Sequence, residues 1–148
     1  MLRIKSNRNS ERGGTLVEFA IAATVFISSM FAVLEFGRAL WVHNALSDAA
    51  RRGARYAVIS PAANTAQVKN VAVYGDPAGG STPLVNNLTT ANVDVNYNGY
   101  GLNEGTVSVS ITNYQFQFVV PLIGTTITMP SYTTTLVAES AGLVPADK

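Results

Sequence analysis

The sequence predicts an α+β protein: a long N-terminal transmembrane helix that continues into a small antiparallel sheet domain with one extra short helix. Three observations predict it. Residues 14–59 contain no proline, so nothing in the chain forces a helix to stop there. Within that stretch the sixteen residues between Glu18 and Glu35, "FAIAATVFISSMFAVL", carry no charge. From Asn92 onward the apolar residues alternate with polar ones, the period of a half-buried strand.

The N-terminus is basic. Residues 1–13 hold Arg3, Lys5, Arg8 and Arg12 against Glu11. The apolar run that follows, 21 residues from Gly14 to Leu34, measures about 30 Å as a helix, the hydrocarbon thickness of a bilayer. A buried core helix would show a polar face, and the uncharged stretch 19–34 offers only Thr24, Ser28 and Ser29. A cleaved secretory signal is the main rival, but the apolar pattern continues past Ser28–Ser29 into Met30–Leu34. Orientation is less decided by charge. The basic N-terminus favours the cytoplasmic side, while Arg38, Arg51, Arg52 and Arg55 follow the span.

Beyond the bilayer the helical pattern persists. Ala45, Ala49, Gly53 and Ala57 recur every four residues, with Leu46, Ala50, Ala54 and Val58 alongside. Such a smooth row lets another surface approach the backbone closely. It packs either under the protein's own sheet or against a neighbouring helix in an assembly. Asp48 can reach Arg52 at i+4, and Arg38 can reach back to Glu35 at i+3. The arginines at 51, 52 and 55 read as a solvated face. His43, the only histidine, lies near Trp41, whose amphipathic ring suits the headgroup level.

Ser60-Pro61 reads as an N-cap followed by proline at the first helical position, opening a short helix over 61–74 that Gly75 ends. Its inner face carries Val68, Val71 and Ala72. "GDPAGGSTP", 75–83, is a loop by composition. Val93, Val95 and Tyr97 form one alternating run, and Val107, Val109 and Ile111 another. Tyr114, Phe116 and Phe118 follow on shifted parity, which predicts a bulge or bend near Asn113. Residues 125–129 and 131–138 supply one or two more strands, with Pro121 and Pro130 at strand ends.

Composition excludes several functions. There is no cysteine, hence no disulfide, thiolate nucleophile or Cys-based zinc site. Residues 56–148 hold Lys69 and Lys148 against Asp76, Asp94, Glu104, Glu139 and Asp147. This acidic balance argues against nucleic acid as a partner. One histidine, no phosphate loop and no paired carboxylates leave catalysis without support, so no enzyme, cofactor or metal is expected. "DVNYNGYGLNEG" offers the first half of a calcium loop in Asp94, Asn96, Asn98 and Gly99. However, Glu104 falls one residue before the required twelfth position. A hairpin turn around Asn98-Gly99 explains the same letters.

The N-terminal pattern has a further resemblance. A basic segment, Gly13, the four residues "GTLV", then Glu18-Phe19 and an apolar helix resembles the layout of type IV pilin-like precursors. Together with "LEFGRALWVHNALSDAARRGARYAV", it is most similar to the TadE-like family, pseudopilins of the tight-adherence (Flp) pilus system. The similarity is dense over residues 12–58 and looser beyond.

The resemblance implies a leader, 1–13, removed by a prepilin peptidase between Gly13 and Gly14. It implies a long helix over 14–59, embedded in a bacterial inner membrane over 14–36, and an extracytoplasmic α+β domain over 60–148. The N-terminus would be cytoplasmic. The partners implied are the peptidase, other pilins and pseudopilins, the pilus assembly platform and the lipid bilayer. After cutting, Glu18 becomes the fifth residue. It would pair with the new α-amine at Gly14, its own or a neighbour's, unless it simply snorkels to the interface. The alternative is a membrane-tethered binding module that never enters a filament.

Overall fold

The structure, a computed structural model, describes residues 8–61, 64–99, 105–119 and 126–137. The expectations for Pro121, Glu104 and the chain after Val137 lie outside the described residues. The elements follow the order helix, helix, 3-10 turn and five strands. By internal contacts the chain forms two units, Met1–Arg38 and Ala39–Lys148. The helix α1, Arg8–Ile59, runs through both. It begins six residues before the expected start at Gly14, so Gly13 and Gly14 both sit inside it.

In the first unit the apolar side chains of α1 point outward on every side: Leu16, Val17, Phe19, Ile21, Val25, Phe26, Val33 and Phe36 are all exposed. The segment Gly13–Ile59 contains a window long and apolar enough to cross a membrane, and none of that window is buried. A helix that is apolar all round needs an apolar surrounding. Two of its hydroxyls are satisfied locally. Thr24 Oγ1 donates to the Ala20 carbonyl and Ser29 Oγ to the Val25 carbonyl, each at 2.8 Å, which lowers the cost of placing them in hydrocarbon. One N-terminal apolar helix of this kind fits a single-pass membrane protein.

The second unit is built on residues 39–59 of α1. Val42, Leu46, Ala49, Ala50, Ala54 and Ala57 are buried there. Helix α2, Thr65–Tyr74, buries Val68, Val71, Ala72 and Val73. It ends at Gly75, whose φ of +80° closes the helix in the left-handed cap that glycine adopts without strain, with its N–H on the Val71 carbonyl. Its start differs from the expected one. The Pro61 carbonyl accepts the Asn64 N–H at 2.9 Å, and this tight turn delays the helix to Thr65. Asn64, not Ser60, is the N-cap residue; Ser60 is buried at the end of α1.

Three antiparallel strands form the main sheet in the order β1-β2-β5: β1, Val93–Asn98; β2, Thr106–Ile111; β5, Tyr132–Val137. The register puts Val93, Ile111 and Tyr132 in one row, Val95, Val109 and Thr134 in the next, and Tyr97, Val107 and Leu136 in the third. Because strand side chains alternate, these rows share the face turned to the helices, and Val93, Val107, Val109 and Ile111 are fully buried. The other face carries Asp94, Asn96, Ser108, Ser110, Thr133 and Thr135.

Two short strands, β3 (Gln115–Gln117) and β4 (Thr126–Thr128), make a second antiparallel pair. The chain passes from β2 to β3 through Asn113 at φ +55°, the bend that the parity slip predicts. β1 and β2 pair antiparallel as far as Asn98–Thr106, and Gly99 follows at φ +65°; the rest of the turn expected around Asn98-Gly99 lies outside the described residues.

Candidate functional site

The sequence-predicted site lies in the N-terminal part of α1. Gly13, Gly14, Glu18 and Phe19 occupy consecutive helical turns, and Gly14 and Glu18, four apart, share one face. Glu18 and Phe19 are exposed. Among the described residues Glu18 makes no ion pair. It is the only charge between Gly13 and Leu34.

The glycines of α1 fall into two kinds. A Cβ added at Gly13, Gly14 or Gly37 would meet nothing within 4 Å. Added at Gly53, it would lie 3.1 Å from Ala72 Cβ and 3.1 Å from Val109 Cγ1. Gly53 is therefore required by close approach of α1 to α2 and β2. Gly13 and Gly14 are crowded by nothing among the described residues, although each weakens the helix by about 1 kcal/mol relative to alanine.

The small-residue row is spent inside the second unit. Ala49 and Ala57 are buried, Ala45 is half-buried, and Gly53 touches α2 and the sheet. Of the two readings left open for this row, packing under the protein's own sheet describes the contacts.

The charged face of α1 is less uniform than its spacing suggests. Arg51 and Arg55 are exposed. Arg52 pairs with Asp48 at 3.6 Å and donates to the Val71 and Ala72 carbonyls at 3.3 and 3.0 Å. It thereby binds the negative C-terminal end of α2. Sequence spacing alone gave no signal for this contact, which depends on α2 folding back alongside α1. Glu35 is buried and accepts a 2.8 Å bond from Arg38, the i+3 pair expected.

His43 has a partner that sequence reasoning missed. Its Nδ1 lies 2.8 Å from the Tyr132 hydroxyl at the start of β5, ring edge against ring face. Burial pushes the Tyr132 phenol above its usual pKa, because the ionised form loses hydration. Asn92 was also not singled out. Its amide donates to the carbonyls of Thr112 and Asn113 at 3.1 and 3.2 Å, and its oxygen accepts from Thr89. It fastens the entry of β1 to the β2–β3 bend.

The calcium alternative fails on geometry. Asp94, Asn96 and Asn98 lie along one paired strand, so the first and last are about 13 Å apart. One ion takes its ligands at ~2.3–2.6 Å and cannot span that. Asp94 instead accepts a 2.9 Å bond from the Thr112 hydroxyl. Among the described residues no group of three or more His, Asp or Glu side chains could hold a metal.

Comparison with known families gives a match over the N-terminal part of the chain. The model of the TadE-like protein family matches residues 13–55, from the first of the paired glycines to the arginine cluster. No curated protein and no solved structure matches the chain.

Proposed function

Starting from the TadE-like segment at residues 13–55, we propose that this chain is a pseudopilin of a tight-adherence pilus, anchored in the inner membrane and processed by a prepilin peptidase. In this reading the enzyme removes residues 1–13 and leaves Gly14 as the N-terminus. Residues 14–36 hold the protein in the bilayer, and the unit built on Ala39–Val137 is extracytoplasmic.

The observation that carries the reading is the family match over an apolar run, residues 14–34, with a single carboxylate near its start. Glu18 stands one turn from the α-amine that cutting would create. The amine and the carboxylate can then neutralise each other, within one chain or between neighbours, where each alone would resist leaving water. The carboxylate is also favoured near the positive end of a helix that starts at Gly14. Gly13 and Gly14 support the same reading, since packing among the described residues gives no reason for them.

The competing reading is a membrane-tethered binding module that never joins a pilus. The two separate on affinity purification of the tagged protein from detergent-solubilised membranes of its native host. A pseudopilin brings down other pilins and assembly-platform proteins. Recovery free of every pilus component, from cells that are making pili, refutes the proposal.

A further inference from the structure

The bond between Gly13 and Gly14 lies inside a helix. Helix α1 begins at Arg8, so the backbone N–H groups from Arg12 onward have carbonyl partners four residues back. A peptidase needs the opposite arrangement, an extended segment whose scissile carbonyl faces the catalytic groups. To extend residues 12–15, the first turns of α1 must unwind and the helix start must move from Arg8 to about Leu16.

Gly13 and Gly14 are the only adjacent glycines in α1, and apart from proline no residue holds a helix less well. Neither is needed to admit a neighbouring side chain, since a Cβ at either position meets nothing within 4 Å. Gly53, in the same helix, is crowded on two sides. The pair therefore marks a weak point in an otherwise unbroken helix, at the place where the chain has to open.

We propose that Gly14 is a positioning residue for leader removal: its poor helix propensity lets the first turns of α1 unwind and present the Gly13–Gly14 bond in extended form. This inference rests on the processing reading above. It differs from a simple steric account, in which Gly14 is small so as to fit the enzyme, because the two accounts rank substitutions differently. Serine is larger than alanine but a poorer helix former. Unwinding control ranks the cutting rate Gly, then Ser, then Ala. Steric control ranks it Gly, then Ala, then Ser.

The test is the rate of loss of residues 1–13, followed by mass, for full-length chains in detergent with a purified prepilin peptidase. Gly14→Ala should cut about fivefold more slowly than wild type, the rate equivalent of about 1 kcal/mol of added helix stability. Gly14→Ser should fall between the two. Adding Thr15→Gly to Gly14→Ala moves the weak point by one residue and should recover most of the lost rate. Alanine cutting as fast as serine, or no recovery in the double variant, overturns the inference and leaves the processing reading standing. A wild-type chain not cut between Gly13 and Gly14 overturns both.

Discussion

Gly53 offers the sharpest test of how the second unit is held together. A methyl group added there sits 3.1 Å from Ala72 Cβ and from Val109 Cγ1, where carbon atoms prefer about 3.5–4.0 Å. Neither neighbour can retreat into solvent, because Ala72 and Val109 are both fully buried. Gly53→Ala gains about 1 kcal/mol of helix propensity and loses about 1–3 kcal/mol to overpacking, so it should be neutral to mildly destabilising.

Gly53→Val adds two further methyl groups in the same gap, with no extra helix preference to offset them, and should cost about 3 kcal/mol or more. At roughly 4–8 °C per kcal/mol for a domain of this size, the valine variant should unfold at least about 12 °C lower. Adding Val109→Ala to Gly53→Ala removes one crowded contact. The pair should then be less destabilised than the two single changes summed, by about 0.5–2 kcal/mol. The assay is thermal unfolding of the detergent-solubilised chain, followed by near-UV circular dichroism. An unchanged midpoint for Gly53→Val would show that α1 does not approach α2 and β2 as described.

Three other outcomes are expected. Arg52→Ala loses both bonds to the α2 carbonyls and should destabilise the second unit by about 1–2 kcal/mol, whereas Arg51→Ala and Arg55→Ala should stay within about 0.5 kcal/mol; denaturant titration of the three variants checks this, and equal effects contradict it. Because burial raises the Tyr132 pKa, the stability this phenol contributes is fully present below its unfolded value of 10.0. It is lost as pH rises through the higher folded value. Tyr132→Phe should flatten that alkaline fall in the unfolding midpoint, and a fall of unchanged steepness would trace it to other groups. Glu18→Gln keeps the size and removes the charge, so leader removal should proceed nearly as in wild type while pilus output drops; Glu18→Asp should be intermediate. Wild-type pilus output from Glu18→Gln would leave Glu18 as a snorkelling residue.

The parts of the fold that were legible in the sequence are those set by local periodicity. The long helix, the alternating rows at 93–97 and 107–111, the cap at Gly75 and the bend at Asn113 each follow from residue type and spacing. The start of the short helix was misread. Ser60-Pro61 carries a helix-start signal, but a turn closed by the Pro61 carbonyl intervenes, and propensity cannot rank two starts four residues apart.

The contacts not foreseen, Arg52 on the end of α2, His43 on Tyr132 and Asn92 on the β2–β3 bend, join residues 19 to 89 positions apart. No local rule reaches that far. Gly13, Gly14 and Glu18 stand out in the sequence because they form a short linear pattern on one helix. The helix start at Arg8 was not legible, because the glycine pair argues locally for a break that α1 passes straight through.

The most direct test of the central claim is the intact mass of the protein extracted from the membranes of its native host. A processed pseudopilin gives a chain that begins at Gly14 and lacks residues 1–13. Mature protein that still carries the segment from Met1 to Gly13, in cells that are producing pili, contradicts the account.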